Sequence, residues 1–280
     1  MDARNLWTRI ETIHAVTYFA PEFRTAAADA GLKGFWMGYF GFRAAPLGPV
    51  GPGVVEATFA NFAPAMVRRA IPDAWTYAEP EELVELRART ASAALRSLVP
   101  RLEDVAVQVN PLLERAVEAG SPLGRPLFAA NRCVGGFEDP VAQLWQCCTT
   151  LREHRGDGHV AALAAAGIDG CQAHHLLIAE QGVPAEVHFD NRGWDDDAQA
   201  LSLDILRSRG LIDGTALTDL GADLRRQIEA ITDERALEPY DAALTREEQA
   251  IVLDALTPAA VAVQDADIVP FPNPMGLPRL

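Results

Sequence analysis

The sequence lacks the features of a membrane, secreted or metal-thiolate protein. It has no apolar run long enough for a transmembrane helix and no basic-then-apolar pattern at its N-terminus. Its four cysteines show no CxxC spacing, so they predict neither a disulfide framework nor a thiolate zinc site. We therefore expect a cytoplasmic protein without a membrane partner, whose thiols are reduced and mostly buried.

Motifs of the common catalytic classes are also missing, and basic residues are scarce in one half. The absence of a phosphate-binding glycine motif, a dinucleotide fingerprint and a nucleophile elbow disfavours nucleotide-dependent and serine-hydrolase chemistry. Residues 136–280 hold 10 basic and 25 acidic side chains, whereas residues 1–135 hold 14 of each. The second half thus carries the whole net charge of −15, and such a surface repels phosphate backbones.

The chain is long, and its apolar residues follow a helical pattern. Its 280 residues suffice for two domains of roughly 100 to 150 residues each. Apolar residues recur at three- and four-residue spacing, alanine is frequent and strand signals are few, which predicts an all-α fold with short strands. Glycines at 156 and 158 predict a helix break there. Helices are expected near residues 5–19, 81–98, 102–119, 140–154, 170–180, 195–209 and 219–236.

The two halves look like one unit written twice. Leu-Trp pairs at 6–7 and 144–145 each open a helical pattern, and residues 26–34 align with residues 162–170 with five identities in nine positions. A duplication of this kind predicts a pseudo-twofold intramolecular dimer, with a ligand site at the seam between its halves.

A helix, a turn-rich segment and a return helix follow one another in the second half. The helix is 195–209, and the segments RGLID (209–213) and ALTDLG (216–221) stand where a wing would form. This succession resembles a winged-helix domain of the multiple-antibiotic-resistance regulator type. The resemblance, joined to the duplication, implies tandem winged-helix-like domains over 1–135 and 136–264. A proline-rich tail over 265–280 would drape on the protein surface or on a partner, or be disordered.

The helix that would read DNA is acidic. Residues 195–209 hold four aspartates against two arginines, whereas base and phosphate contacts need arginine, lysine or amide side chains. Three aspartates at a helix start also suit the helix dipole, which is the alternative interpretation of the cluster. DNA binding is therefore the weaker of the two functions that we consider.

A second resemblance covers most of the chain. It rests on residues 14–22, 34–51 and 144–163, in which HRGDGH (154–159) stands out. At these segments the chain resembles an actinobacterial family of helix-turn-helix-like proteins. The resemblance implies a mostly helical fold with a winged-helix-like C-terminal part, and it brings neither an established activity nor a catalytic residue.

The densest ionisable group is the octet 152–159, with six such side chains and two glycines. If the glycines bend the backbone, His154, Asp157 and His159 could converge as imidazoles oriented by a carboxylate, a set suited to acid/base catalysis. The alternative is that Asp157 caps the next helix and the arginines form ion pairs.

The internal duplication adds His14 to the same candidate site. His14, Tyr18 and Glu22 recur at four-residue steps and would rise along one side of a helix. A lone histidine among apolar residues is usually structural, but the duplication would place His14 opposite residues 152–154. His14, His154 and His159 could then hold zinc or iron, helped by Glu22 or Asp157, or could form an acid/base set without metal.

Other candidate side chains surround the same seam. Arg43 and Asn61 lie beside an aromatic stretch and a Pro-Gly loop, where they could hold an anionic or amide-bearing ligand. His174, His175 and His188 are expected at the surface. The remaining candidate ligand contacts are Trp36, Tyr39 and Arg155.

The leading interpretation is a small-molecule-binding protein, with an enzyme of unknown reaction left open. The alternative is a ligand-responsive winged-helix regulator that binds DNA, and a purely structural protein is the third possibility. A monomer that is itself a pseudo-dimer, or a homodimer, fits each of them.

Overall fold

The computed structural model describes residues 2–182 and 184–280. Helices hold 72% of the chain, and the one sheet in the described ranges is a two-stranded hairpin, which confirms the all-α expectation. Within these ranges, no helix is both long and apolar enough to cross a bilayer.

The elements follow one another as fifteen α-helices and one hairpin in the described chain. Short 3-10 helices lie at Ala45–Leu47 and Asp73–Thr76. The helices are α1 (Ala3–His14), α2 (Val16–Phe19), α3 (Pro21–Asp29), α4 (Gly34–Ala44), α5 (Pro52–Thr58), α6 (Pro64–Arg68), α7 (Pro80–Leu98), α8 (Leu102–Ala119), α9 (Pro126–Arg132), α10 (Pro140–Ala165), α11 (Gly170–Gln181), α12 (Glu186–Phe189), α13 (Asp196–Ser208), α14 (Asp219–Ala243) and α15 (Arg246–Asp265), with strands β1 (Ile212–Asp213) and β2 (Ala216–Leu217) between α13 and α14.

A large hydrophobic core joins the N-terminal helices to both ends of the second half. It contains Phe40 and Leu83 from the first half, Trp145 from the start of α10, and Leu256 from α15. α1 packs against α10 and α15, and α8 packs against α10. This core includes residues on both sides of position 135, and the domain bounds 1–135 and 136–264 remain a prediction.

A smaller core packs residues of α10, α11, α13, α14 and the hairpin together, and we call these elements the hairpin unit. Leu163 at the end of α10, Leu176 of α11, Leu206 of α13 and Ile228 of α14 pack together with Ile212 of the hairpin. β1 and β2 pair antiparallel at the place where the sequence predicts a wing. Residues 2–135 contain no strand, so the described chain has no wing in its first half, and the tandem winged-helix arrangement is not confirmed.

The aligned segments 26–34 and 162–170 do fold alike. Gly31 and Gly167 both have positive φ (80° and 64°) just after a helix. The amides of Leu32 and Ile168 then donate to carbonyls five residues back, at 2.9 and 3.0 Å. Both segments therefore share a Schellman-type helix ending, for which glycine is favoured.

Two sequence-based boundaries are wrong. α10 runs unbroken through Gly156 and Gly158, because a glycine costs a buried helix only about 1 kcal/mol and α8, α9 and α14 pack along it. Conversely, the helix expected over 5–19 ends at His14, and α2 forms a separate turn. α15 was not expected from the sequence.

The C-terminal tail is packed rather than disordered. Val269 and Leu277 are buried in the large core, and the Asn273 side chain accepts a hydrogen bond from the Leu277 amide at 3.0 Å. The Gln264 side chain holds the chain end by donating to the Pro278 carbonyl and accepting from the Leu280 amide. The tail is therefore held in place and can form one wall of a cavity.

Candidate functional site

Two adjoining cavities lie where the large core meets the hairpin unit. The outer cavity has a volume of about 680 Å³ and is bounded by α1, α4, α10, α11, α14 and the tail. The inner cavity has a volume of about 400 Å³ and lies between α1 to α4 and α10. Five side chains line both cavities: Tyr18, Arg24, Phe35, Tyr39 and Arg43.

The lining of the outer cavity combines arginines with aromatic rings, in a protein that is acidic as a whole. Six of these arginines belong to ion pairs with glutamates or aspartates. The arginines are Arg4, Arg24, Arg43, Arg152, Arg155, Arg192, Arg225 and Arg226, and the aromatic residues are Trp7, Tyr18, Phe19, Phe35, Trp36, Tyr39, Phe59 and Phe62.

A buried ion network forms the wall shared by α1, α4 and α10. Arg43 donates to both carboxylate oxygens of Glu153, at 2.8 and 3.0 Å, and Arg152 donates to Glu153 at 3.0 Å and to Glu11 at 3.1 Å. Burial raises the pKa of Glu153, but the two arginines outweigh it and hold that pKa well below its usual range. The network is thus neutral, with two arginines and two glutamates.

Arg192 carries a charge that the described protein leaves uncompensated. Its side chain is 9% exposed, its guanidinium lies 4.5 Å from the Phe62 ring centre, and one terminal nitrogen donates to the Asn191 carbonyl at 3.2 Å. No carboxylate among the described residues pairs with it, and its Nε has no hydrogen-bond partner there. Burial lowers the pKa of Arg192, while Tyr39 acts to raise it.

His14 joins Tyr18 and Thr149 at the floor of the inner cavity. Its Nδ1 is 2.9 Å from the Thr149 hydroxyl and its Nε2 is 2.8 Å from the Tyr18 hydroxyl, while its ring stacks near Trp145. Burial lowers the pKa of His14 well below its usual value, and nearby Arg152 adds to this effect. Burial also raises the pKa of Tyr18, so both groups are neutral at physiological pH.

The octet does not form an acid/base cluster. His154 is buried edge-on against Phe128, and both of its ring nitrogens lack a partner in the described chain. Asp157 instead accepts a hydrogen bond from the Phe128 amide at 2.9 Å, in the first turn of α9. The alternative had it capping the next helix, but Asp157 lies inside the unbroken α10 and α9 precedes it in the chain. His159 reaches Thr232 on α14, with its Nδ1 3.0 Å from the Thr232 hydroxyl.

Burial explains the titration behaviour of the octet. It lowers the pKa of His154 to about 3 and that of His159 to about 4, because desolvation disfavours the charged imidazole. It raises the pKa of Asp157 to about 7, because the same environment disfavours the carboxylate.

The predicted zinc or iron site is not assembled. His14, His154 and His159 contact different partners, and no group of three or more metal-binding side chains gathers anywhere in residues 2–182 and 184–280. These residues therefore do not fit a resident ion of the kind that the sequence suggested.

The other predicted contacts divide between the cavities and the interior. Trp36, Tyr39, Arg43, Asn61 and Arg155 line the outer cavity, whereas Glu22 and His154 line neither cavity. The carbonyl of Asn61 accepts hydrogen bonds from His174 at 3.1 Å and Trp194 at 3.0 Å, so its main chain joins the large core to the hairpin unit.

The surface location expected for three further histidines is wrong for two of them. His174 is 3% exposed and His188 is fully buried, because α11 and α12 fold their rings against each other, 5.7 Å apart. His175 is half-buried and donates to the Gln199 carbonyl.

The exposed face formed by α13 and the β1–β2 hairpin is poor in free positive charge. It presents Asp197 and Asp204 beside the exposed apolar residues Leu201 and Ile205. Arg207 on that face is held by Asp204 and by the carbonyl of Gly214. The helix that would enter a major groove is therefore acidic and apolar.

Comparison with known proteins gives the family and no closer relative. No curated protein and no solved structure matches the chain. One family model, described as a helix-turn-helix family, matches residues 3–270, and the chain therefore belongs to that helix-turn-helix family.

Proposed function

We propose that this protein binds a small organic anion in the outer cavity. The observation that carries the proposal is Arg192, a buried guanidinium without a carboxylate partner in the described chain. A buried charge that is left unpaired is costly, and an anionic ligand would supply its missing partner.

The surroundings of Arg192 fit a ligand with an aromatic or other planar body. Phe62 lies beneath the guanidinium, and the Trp36, Tyr39 and Phe62 rings form a contiguous aromatic wall with centroids 5.3 to 5.8 Å apart. Tyr39 accepts a hydrogen bond from Arg43 at 3.1 Å, which leaves its own hydroxyl proton free to donate to the anion. Apolar walls with a few placed polar groups are typical of ligand sites.

The test uses 8-anilinonaphthalene-1-sulfonate, a fluorescent aryl anion. We expect saturable binding at one site and an affinity at least tenfold lower in Arg192→Gln. A hydrogen bond to a charged group contributes about 1.5–3 kcal/mol, and about 1.4 kcal/mol is a factor of ten in affinity. Fluorescence titration gives the affinity and the stoichiometry.

The matched control is Arg89→Gln, because Arg89 is exposed and lines neither cavity. It should bind the probe like the unmodified protein. Equal affinities of Arg192→Gln and Arg89→Gln, with both variants folded by circular dichroism, would remove the proposal.

Ligand-responsive DNA binding is the second candidate function. The helix-turn-helix family and the hairpin after α13 favour it, whereas the aspartates on the exposed face of α13 oppose it. In a gel-shift with the upstream region of its own gene, we expect no retardation at physiological salt. A shifted band that weakens steeply with added salt would instead support the regulator.

A further inference from the structure

The inner cavity adjoins the outer cavity, in which we propose that the anion binds, and some side chains line both. Tyr18 and Tyr39 line both cavities, and their ring centroids are 5.1 Å apart. Arg24 and Phe35 also line both cavities, with the Arg24 guanidinium 5.7 Å from the Phe35 ring centre. A molecule bound at Arg192 therefore has the inner cavity on the far side of these tyrosines.

The inner cavity has apolar walls. Phe23, Leu32, Phe42 and Trp145 are all buried and face it from α3, the following turn, α4 and α10. Its volume of about 400 Å³ lies within the roughly 300–1,000 Å³ range of ligand pockets. Walls of this kind favour rings or alkyl groups over water.

Most polar side chains of the inner cavity are uncharged or already paired. His14 and Tyr18 are uncharged because of burial, and Thr149 is a hydroxyl. Arg43 is engaged by Glu153 through two hydrogen bonds.

Arg87 adds one further donor to the inner cavity. Its terminal nitrogens bind the Phe42 carbonyl, Asn131 and Gln146, whereas its Nε, on a side chain 2% exposed, has no partner in the described chain. The hydrogen bonds of Arg87 thus go to neutral groups, and its free Nε–H can donate to an oxygen of a ligand in the inner cavity.

We infer that the inner cavity is the specificity pocket for the ligand of the outer one, and that it takes an uncharged ring carrying a carbonyl, ether or hydroxyl oxygen. The inference rests on the proposed function. The ligand is accordingly an elongated aryl or alicyclic acid, with its anionic group at Arg192 and its ring beyond Tyr18 and Tyr39. The Tyr18–His14–Thr149 chain offers the ring oxygen either a donor or an acceptor, because the His14 tautomer sets the direction of its hydrogen bonds.

The experiment fills the inner cavity alone. Thr17 is half-buried, lines only the inner cavity, and its hydroxyl makes no hydrogen bond within the described chain. We expect Thr17→Phe to weaken 8-anilinonaphthalene-1-sulfonate binding at least tenfold, because its ring occupies the space of the probe's ring. Methanesulfonate, the same anionic group without rings, should raise the melting temperature of Thr17→Phe and of the unmodified protein equally.

Two further variants keep the result interpretable. Thr215→Phe places the same ring on the exposed wing, outside both cavities, and should leave probe affinity unchanged. Ala28→Phe, which enters the inner cavity from the exposed side of α3, replaces Thr17→Phe if that variant does not fold.

The experiment distinguishes a failure of this inference from a failure of the proposed function. If the cavity-filling variant binds the probe as tightly as Thr215→Phe while Arg192→Gln binds it weakly, the ring lies in the outer cavity and this inference is overturned. If Arg192→Gln also keeps full affinity, the proposed function itself fails.

Discussion

Replacing Glu153 by glutamine is expected to lower the free energy of unfolding by about 3–5 kcal/mol, the cost of breaking a buried ion pair by removing one partner. Glu153 is 1% exposed and receives hydrogen bonds from both Arg43 and Arg152. The substitution removes the charge that offsets two largely buried guanidiniums, and Glu11 can compensate only Arg152. Denaturant unfolding at pH 7 measures the loss.

The matched control for this prediction is Glu85→Gln, an exposed glutamate of α7 outside both cavities. Its stability should change by less than about 0.5 kcal/mol, as for most surface substitutions. The double variant Arg43→Met with Glu153→Met should recover much of the loss, because it removes an ion pair instead of orphaning one. If Glu153→Gln is as stable as Glu85→Gln, the network does not contribute to folding as described.

The same network shows why the octet was noticed in the sequence but misinterpreted. The density of charge at 152–159 correctly indicated a special segment. Its partners are Glu11, Arg43 and Asp233, which lie more than 70 residues away and leave no local pattern. The glycines suggested a break, but tertiary packing along α10 outweighs the small helix penalty of a glycine. Sequence therefore located the segment, and packing assigned its roles.

The histidine hypothesis fails for a related reason. The internal repeat predicted that His14 faces residues 152–154, whereas its ring nitrogens meet Thr149 and Tyr18 and its ring stacks near Trp145. On an unbroken α10, however, His154 and His159 diverge to α9 and α14. Arg192 was missed because it lies in a short turn without periodicity, and its lack of a carboxylate partner is visible only in three dimensions.

The internal repeat indicated a local feature that the two aligned segments share, but the tandem arrangement that it predicted is not confirmed. Residues 26–34 and 162–170 share a helix ending whose positive-φ glycine any Schellman-type turn favours, so their identity reflects local chemistry as much as duplication. The hairpin of β1 and β2, by contrast, lies where the resemblance to winged-helix domains implies a wing. Both the helix ending and the hairpin are formed by residues close together in the sequence, which is why the sequence could indicate them.

The buried histidines make the protein sensitive to acid. All six histidines have a pKa lowered by burial, and for His154, His159 and His174 the values fall to about 3, 4 and 3. Between pH 6.5 and about 4 these histidines therefore bind protons in the unfolded chain but stay neutral in the folded chain. The stability is thus present above pH 6.5 and is lost as the pH falls.

The expected loss is comparable with the whole stability of a domain. At pH 5 each of these three histidines costs about 2 kcal/mol, since one pKa unit is about 1.36 kcal/mol. Asp157 opposes them: its pKa is raised to about 7, so the folded state gains about 2 kcal/mol as Asp157 protonates. The net loss from pH 7 to pH 5 is about 4 kcal/mol, against a total of about 5–15 kcal/mol, and His14 adds to it in the same direction.

Urea unfolding at a series of pH values measures this loss and its source. His154→Phe is the informative variant, because the ring packs edge-on against Phe128 and neither nitrogen has a partner in the described chain to lose. It should reduce proton uptake on unfolding at pH 5.5 by about one and so flatten the stability profile. Asp157→Asn should steepen the profile, because it removes the opposing group. A profile that is flat from pH 7 to pH 5, or is unchanged by His154→Phe, would mean that His154 is solvated and that the α9–α10 contact is open in solution.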